Sequence, residues 1–230
     1  MRGGGAGSGG PYGEGRIARL SAEEARRAAE ESGVPGYMAR LSIFRVLLRH
    51  PKLARALNDL LGVMLFDGAL DTRLRELIIM RVGWTTGSVY EWTQHWQIAR
   101  SLGVADDDLL AVRDWRSSGV FGPAERAVLA AVDDVVERGA VSAGTWQSLQ
   151  EHVPGAGMPA TGAPDTGTPS AGPDEQTTKI LLEVVAVVGA WRMVSSWLES
   201  LEVPLEDGVQ AWPPDGASPP RASDDAPSQP

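Results

Sequence analysis

Three residues whose side chains can move a proton or attack a bond lie together in GSVYEWTQH, residues 87–95. On a helix, the i, i+3 and i+7 spacing of Ser88, Glu91 and His95 puts them on one face. Glu91 and His95 are close enough to touch, whereas Ser88 and His95 stand roughly 10 Å apart along the axis. The spacing therefore favours carboxylate–imidazole proton transfer over a Ser–His nucleophilic pair.

A second carboxylate, Glu76, interrupts the apolar run LRELIIMRV. A buried carboxylate needs a partner, and the candidates are Arg73, Arg81 or His95. The connection TTG between the two predicted helices is short, so the helices should pack antiparallel. Glu76 and His95 each lie about two turns from that connection and would meet at the same depth. Pairing with His95 would hold the imidazole between two carboxylates.

The same segment also has a structural interpretation that needs no chemistry. Ser88 and Glu91 match a capping box, in which the serine oxygen accepts from a backbone N–H and the glutamate reaches back to the first residue. Such a cap stabilises a helix by about 1 kcal/mol. On this interpretation Trp84, Trp92 and Trp96 belong to the core, and His95 is an interior hydrogen-bonded histidine.

Composition excludes several function classes. The chain has 230 residues, a formal net charge of −9 and no basic cluster, so we expect one main domain and no nucleic-acid partner. It has no cysteine, which rules out disulfides and thiolate chemistry, and its three histidines are far apart, so no metal or cofactor site is predicted.

No signal-peptide core precedes the domain, and the apolar run 180–191 is too short for a bilayer span. A cytoplasmic protein that does not enter a membrane is expected.

Helical periodicity dominates the chain and predicts an all-α fold of about eight helices in one domain, residues 16–211. No strand pattern is evident. The glycine-rich residues 1–15 and the residues 212–230, rich in proline, serine and aspartate, are predicted to be disordered tails. Residues 153–173 contain four pentads of the form Pro-x-x-Gly-x and are predicted to be a disordered insert.

The pattern Glu76-x11-Ser88-x2-Glu91-x3-His95 resembles the carboxymuconolactone decarboxylase family, which includes the AhpD-like alkylhydroperoxidases. The segment RELIIMRVGWTTGSVYEWTQHWQIARSLGV carries most of the likeness, which extends over roughly residues 43–208 apart from the insert. The resemblance implies an AhpD-like helical domain built on a core antiparallel helix hairpin. It also implies a homo-oligomer, a trimer or hexamer.

The resemblance implies roles for individual residues. His95 and Glu76 match the proton-relay positions, while Ser88 and Glu91 stand where the peroxidase members carry two cysteines. A serine hydroxyl cannot cycle through a sulfenic acid and a disulfide, so thiol peroxidase chemistry is closed to this chain. The decarboxylase members act without cofactor or metal on a small-molecule lactone. The expected activity is therefore cofactor-free acid–base chemistry on a small cyclic lactone or enone.

Four further residues are candidates for substrate binding. Trp84, Trp92 and Trp96 could wall an apolar pocket, although core packing also explains them. Arg81, or Arg100 in its place, could bind a substrate carboxylate. An alternative of another class is a non-catalytic, oligomeric helical protein that retains the family fold after losing the cysteines.

Overall fold

The structure, a computed structural model, describes residues 13–153, 174–212 and 217. Within them the chain forms nine α-helices and no strand, which confirms the predicted all-α class. The helices are α1 (Ala22–Ser32), α2 (Ser42–Leu47), α3 (Pro51–Phe66), α4 (Thr72–Thr86), α5 (Val89–Ser101), α6 (Asp106–Ala111), α7 (Pro123–Arg138), α8 (Ala143–His152) and α9 (Glu175–Leu201). Most of the predicted tails and of the pentad insert lies outside the described residues.

Local sequence signals explain where most helices begin and end. Ser21 and Glu24 form the capping box of α1, and the side chain of Asp71 accepts from the backbone N–H of Leu74 at the start of α4. The continuous apolar segment 43–65 is divided into α2 and α3, because Pro51 has no N–H to donate and fits only the first turn of a helix. This division raises the helix number above the expected eight.

Helix α4 lies at the centre of the domain, and its most extensive contacts are with α5, α7 and α9. Two apolar clusters pack on its different sides, one towards α3 and α9 and one towards α5, α6 and α7. Helix α9 spans 27 residues and is long and apolar enough to cross a membrane by length and composition, but half of its most apolar stretch is buried against the other helices. That burial is typical of a core helix.

The α4–α5 hairpin is closely packed near its turn. A Cβ added at Gly83 would lie 3.2 Å from the backbone nitrogen of Trp92, so a larger residue there would require the two helices to move slightly apart. Gly87 ends α4 with φ 75°, a conformation that favours glycine. These two glycines set the distance and the antiparallel direction of the helices that carry Glu76 and His95.

The segment after α9 folds back over α5. Val203 and Leu205 are buried, and Trp212 stacks on Trp96 with ring centroids 4.3 Å apart. The backbone N–H of Trp212 also donates to the Thr93 hydroxyl at 3.1 Å. Trp212, assigned from the sequence to the disordered tail, is therefore packed against the domain.

Candidate active site

The start of α5 differs from the capping box expected there. Ser88 occupies the N-cap position, but its side chain makes no capping hydrogen bond, and its buried Oγ has no partner among the described residues. Glu91 does not reach back towards Ser88, because its carboxyl group is buried beside His95 and Trp191. The structural interpretation of this pair is therefore incorrect, and Glu91 is part of a side-chain cluster.

His95 lies between carboxyl groups from two helices. Its Nδ1 is 2.9 Å from Oε2 of Glu76 on α4, and its Nε2 is 3.5 Å from Oε2 of Glu91 on its own helix. The Nε2 atom also accepts from the indole N–H of Trp191 on α9, at 3.2 Å. In that arrangement the neutral imidazole carries its proton on Nδ1 and donates it to Glu76.

The second oxygen of Glu76 is held by its neighbour in sequence. Nε and Nη2 of Arg75 each donate to Oε1 of Glu76 at 3.1 Å, and Nη1 of Arg75 donates to the Leu65 carbonyl. Arg73, one of the expected partners, instead pairs with Asp108 at 2.9 Å. The five residues Arg75, Glu76, Glu91, His95 and Trp191 are called the His95 cluster below.

Burial and pairing move the pKa values of the cluster in ways that suit proton transfer. Burial alone would raise the pKa of Glu76, but the charge and hydrogen bond of His95, with Arg75, outweigh it and lower that pKa. Burial opposes a charged His95, yet Glu76 and then Glu91 raise its pKa above the usual value. Burial also raises the pKa of Glu91, only partly opposed by His95 and Trp191. A basic imidazole therefore adjoins a carboxyl group that binds a proton more readily than usual.

A cavity of about 480 Å³ adjoins the His95 cluster, and its lining includes His95, Glu91 and Trp191. Most of the remaining wall comes from apolar side chains of the segment 35–66. Among them are Met38, Ile43, Phe44, Leu57, Leu61 and Leu65. An apolar cavity with a few convergent polar groups and perturbed pKa values is the usual form of a small-molecule site.

Glu206, in the segment that follows α9, organises another part of the wall. Its Oε1 accepts from the backbone N–H of Ser42 at 2.8 Å and from the hydroxyl of Tyr90, and its Oε2 accepts from the amide of Gln94. Burial and the charge of Glu206 raise the pKa of Tyr90 well above its usual value, so the phenol stays protonated. Tyr90 and Gln94 both line the cavity, and Glu206 fixes their orientation.

The three tryptophans expected to wall the pocket lie elsewhere. Trp92 and Trp96 are buried in the apolar cluster between α4, α5, α6 and α7, and Trp84 packs against it with its ring centroid 5.3 Å from that of Trp92. Successive helix residues point about 100° apart, so Trp92 and Trp96 lie on the side of α5 next to the one that carries Glu91 and His95. They are not among the residues that line the cavity.

Arg81, the expected carboxylate binder, is also committed elsewhere. Its Nε donates to Oδ1 of Asp133 at 2.7 Å, and its Nη1 donates to the carbonyls of Val112 and Arg113. It is not among the cavity-lining residues. Arg81 therefore joins α4 to α7 and to the turn after α6, away from the described cavity wall.

Sequence reasoning missed Arg75, Trp191 and Glu206. Arg75 and Glu76 are adjacent, and neighbours on a helix ordinarily point in different directions. Trp191 and Glu206 are about a hundred residues from their partners in the chain, so no local spacing relates them. Within the described part of the chain, no group of three or more His, Cys, Asp or Glu side chains is arranged to hold a metal ion.

Comparison with known folds gives consistent results. The debrominase Bmp8 in complex with 2,3,4-tribromopyrrole superposes with a TM-score of 0.58 at 17% identity, covering 83% of this chain and 91% of that one. An uncharacterized peroxidase-related protein with an alkylhydroperoxidase AhpD core, from Ralstonia eutropha JMP134, gives a TM-score of 0.58 at 17% identity, over 82% and 87%. A peroxidase-related protein from Silicibacter sp. TM1040 gives 0.58 at 12% identity, over 87% and 95%. Identities this low establish the fold alone.

Comparisons of sequence alone match a smaller part of the chain than the comparisons of fold. No curated protein matches the chain significantly. The model of the carboxymuconolactone decarboxylase family matches residues 51–134, a range that contains α3 to α6 and the carboxylate–histidine hairpin. Residues 51–134 are therefore similar to the carboxymuconolactone decarboxylase family, the helices have an AhpD-like arrangement, and the chain contains no cysteine.

Proposed function

We propose that this protein is a cofactor-free acid–base enzyme of the decarboxylase or isomerase kind, acting on a small cyclic lactone or enone. The observation that carries the proposal is the position of His95. The imidazole is 2.9 Å from Glu76 and 3.5 Å from Glu91, and it borders an apolar cavity. A histidine with a carboxylate on each side, at the wall of a cavity, is suited to take up and return protons.

In an isomerisation, ionised Glu91 takes a proton from a ring carbon beside the substrate carbonyl. The electron pair of that C–H bond moves into the carbonyl. His95, protonated at Nε2 in place of the hydrogen bond it accepts there from Trp191, donates a hydrogen bond to the resulting enolate oxygen. The same proton then returns to a different ring carbon, so the product is an isomer and no co-reactant is consumed. Glu76 completes the relay by holding Nδ1 of His95, and Arg75 keeps Glu76 in position.

In a decarboxylation, the electron pair of the bond to the carboxylate carbon moves into the conjugated carbonyl while carbon dioxide leaves. His95 then delivers one proton to the ring carbon, and solvent restores that proton. Both reactions use the same acid–base pair. The family also includes thiol peroxidases, but this chain has no cysteine to form a sulfenic acid, so that reaction is not proposed.

Deuterium uptake tests the proposal without knowledge of the natural substrate. The protein is incubated in D₂O with a panel of cyclic lactones and enones, and proton NMR follows exchange at ring carbons. We expect His95→Gln and Glu91→Gln to lower the exchange rate about 10²–10⁴-fold, the usual contribution of a positioned acid or base. His152→Gln, a histidine change on α8 outside the cavity lining, should leave the rate unchanged. Exchange that persists in both cluster variants would contradict the proposal.

Self-association is a second part of the proposal, as a trimer or hexamer. Helix α3 exposes Leu60, Val63 and Phe66, and α9 exposes Leu182 and Val185; Phe66 is 71% exposed. Exposed apolar side chains repeated along a helix are typical of surfaces that bind another protein surface.

Sedimentation velocity measures the assembly directly. We expect Val63→Glu to shift the protein to smaller species, while Lys52→Glu, on an exposed position of the same helix, should not. An assembled protein that exchanges no compound of the panel would instead favour the non-catalytic helical protein.

A further inference from the structure

The cavity beside His95 is lined by few groups that can carry charge. Among its described lining residues the acidic and basic side chains are Glu91 and His95, and no lysine or arginine is present. The other polar lining groups include Tyr90, Gln94 and Asn58. Tyr90 donates its only hydroxyl proton to Glu206, and Gln94 donates one of its two amide N–H groups to the same carboxylate.

The arginines nearest in sequence to the catalytic groups are bound to other partners. Arg75 donates to Glu76 and to the Leu65 carbonyl, and Arg81 donates to Asp133. Neither belongs to the cavity lining. Among the described lining residues, therefore, no lysine or arginine offers a fixed positive charge to a substrate carboxylate.

A protonated His95 is a cation at this wall, but the carboxyl groups of Glu76 and Glu91 already flank it. Its Nδ1 is held by Glu76, and its Nε2 faces both the indole N–H of Trp191 and the carboxyl group of Glu91. A second carboxylate at Nε2 would lie against Glu91, and Glu206 also acts on Glu91 electrostatically. Removing a carboxylate from water is unfavourable unless a cation and hydrogen-bond donors replace its hydration. Here the negative charges of the nearby carboxyl groups would also repel a bound carboxylate.

We infer that the cavity selects an uncharged, largely apolar ring compound with one carbonyl or hydroxyl oxygen beside His95 and Glu91, and that it excludes free carboxylates. This inference rests on the proposed function, since it takes those two residues as the reactive end of the cavity. It narrows that function to isomerisation or proton exchange. A decarboxylation would require the substrate to bring an ionised carboxylate beside Glu91, against a wall whose described residues include no lysine or arginine.

Calorimetric titration with a matched pair of compounds tests the selectivity. The probes are a butenolide that carries a methyl ester and the same butenolide with the free acid, both at pH 7.5. We expect the ester to bind about ten-fold or more tightly than the carboxylate, because only the carboxylate must be desolvated beside Glu91 without a lysine or arginine to pair with it. The affinity of the acid should rise towards that of the ester as the pH falls to the pKa of the free compound.

A charge added to the wall should reverse this preference. Asn58 lines the cavity from α3, and Asn58→Lys should raise the affinity for the carboxylate about ten-fold or more while changing ester binding little. Ala56→Lys adds the same charge on an exposed position of α3 that does not line the cavity, so it serves as the control. Equal effects of the two lysines would show that overall charge, and not the wall, sets the preference.

The two proposals fail in different ways. Wild-type protein that binds the carboxylate as tightly as the ester at pH 7.5, or binds neither compound, overturns the selectivity inference even if deuterium exchange occurs. A clear ester preference without any deuterium exchange leaves the selectivity standing and overturns the proposed function.

Discussion

Two clusters of buried charge join α4 to its neighbours, and they differ in what their protons can do. In the Asp133 cluster, Arg81 donates to one oxygen of Asp133, and Trp115 and Arg116 donate to the other. In the His95 cluster, Arg75 holds one oxygen of Glu76 and the imidazole holds the second. Each cluster therefore has a buried carboxylate that is bound on both oxygens.

The difference lies in the partners. An arginine keeps its proton at every pH a protein experiences, so Arg81 and Arg116 bind Asp133 without exchanging a proton with it, and we assign the Asp133 cluster a structural role. The His95 cluster includes an imidazole and Glu91, both with raised pKa values, at the wall of a cavity. The proposed acid–base function therefore rests on buried groups that can change their protonation beside a cavity, and not on buried charge alone.

The largest expected effect is on the Asp133 cluster. Asp133→Ala leaves Arg81, whose side chain is 11% exposed, without its carboxylate. We expect the free energy of unfolding to fall by about 3–5 kcal/mol, as when one partner of a buried ion pair is removed. Urea denaturation measures the loss, and deuterium exchange per folded molecule should stay at the wild-type level. A loss below about 1 kcal/mol would remove the structural role given to this cluster.

A matched pair of tryptophan changes compares the two clusters more finely. Trp115→Phe removes the N–H that donates to Asp133, and Trp191→Phe removes the N–H that donates to His95. Losing a bond to a charged acceptor should cost about 1.5–3 kcal/mol for Trp115, and losing one to a neutral acceptor about 1 kcal/mol for Trp191. The lost ring volume is common to both variants.

Only the Trp191 change should alter the pH profile of deuterium exchange, because that N–H contacts both His95 and Glu91. Equal pH profiles in the two variants and the wild type would show that Trp191 only packs beside the histidine.

Amide replacements of the two carboxyl groups should have opposite consequences at pH 8. The pKa of Glu91 is raised by burial, so the folded state favours its protonated form, and its stability contribution declines as the pH rises through that pKa. Glu91→Gln removes this penalty, and we expect the free energy of unfolding at pH 8 to be unchanged or higher while exchange is lost. Asp133→Asn should lower the free energy of unfolding at pH 8 by about 1–3 kcal/mol, because charge-assisted hydrogen bonds are lost.

The smallest expected effect is a pH dependence of stability that originates in His95. Its pKa is raised in the folded state, mainly by Glu76 against the opposing effect of burial. The resulting stability is therefore fully present below the unfolded value of about 6.5 and is lost as the pH rises through the folded pKa. The difference in unfolding free energy between wild type and His95→Asn should shrink from pH 6 upwards. A constant difference would show that His95 does not titrate differently on folding.

Much of the fold was predictable because it depends on neighbours in sequence. The capping box at Ser21, the helix start at Pro51 and the glycine that ends α4 are all local signals, and each operates as expected. The depth match of Glu76 and His95 was also predictable, because a short connection fixes how two antiparallel helices align. The capping box expected between Ser88 and Glu91 does not form, although Ser88 occupies the N-cap position. Burial of the Glu91 side chain outweighs a local hydrogen bond worth about 1 kcal/mol.

The sequence by itself determined the helical class, the absence of sulfur chemistry and the presence of two carboxylates around one histidine, because composition and helical spacing carry that information. Only the tertiary structure decided which groups complete the site. It brings Trp191 of α9 to His95 and Glu206 to Tyr90, and it directs Trp92 into a separate core cluster. These contacts join residues far apart in the chain, and they follow from how the helices pack around α4, which local spacing does not encode.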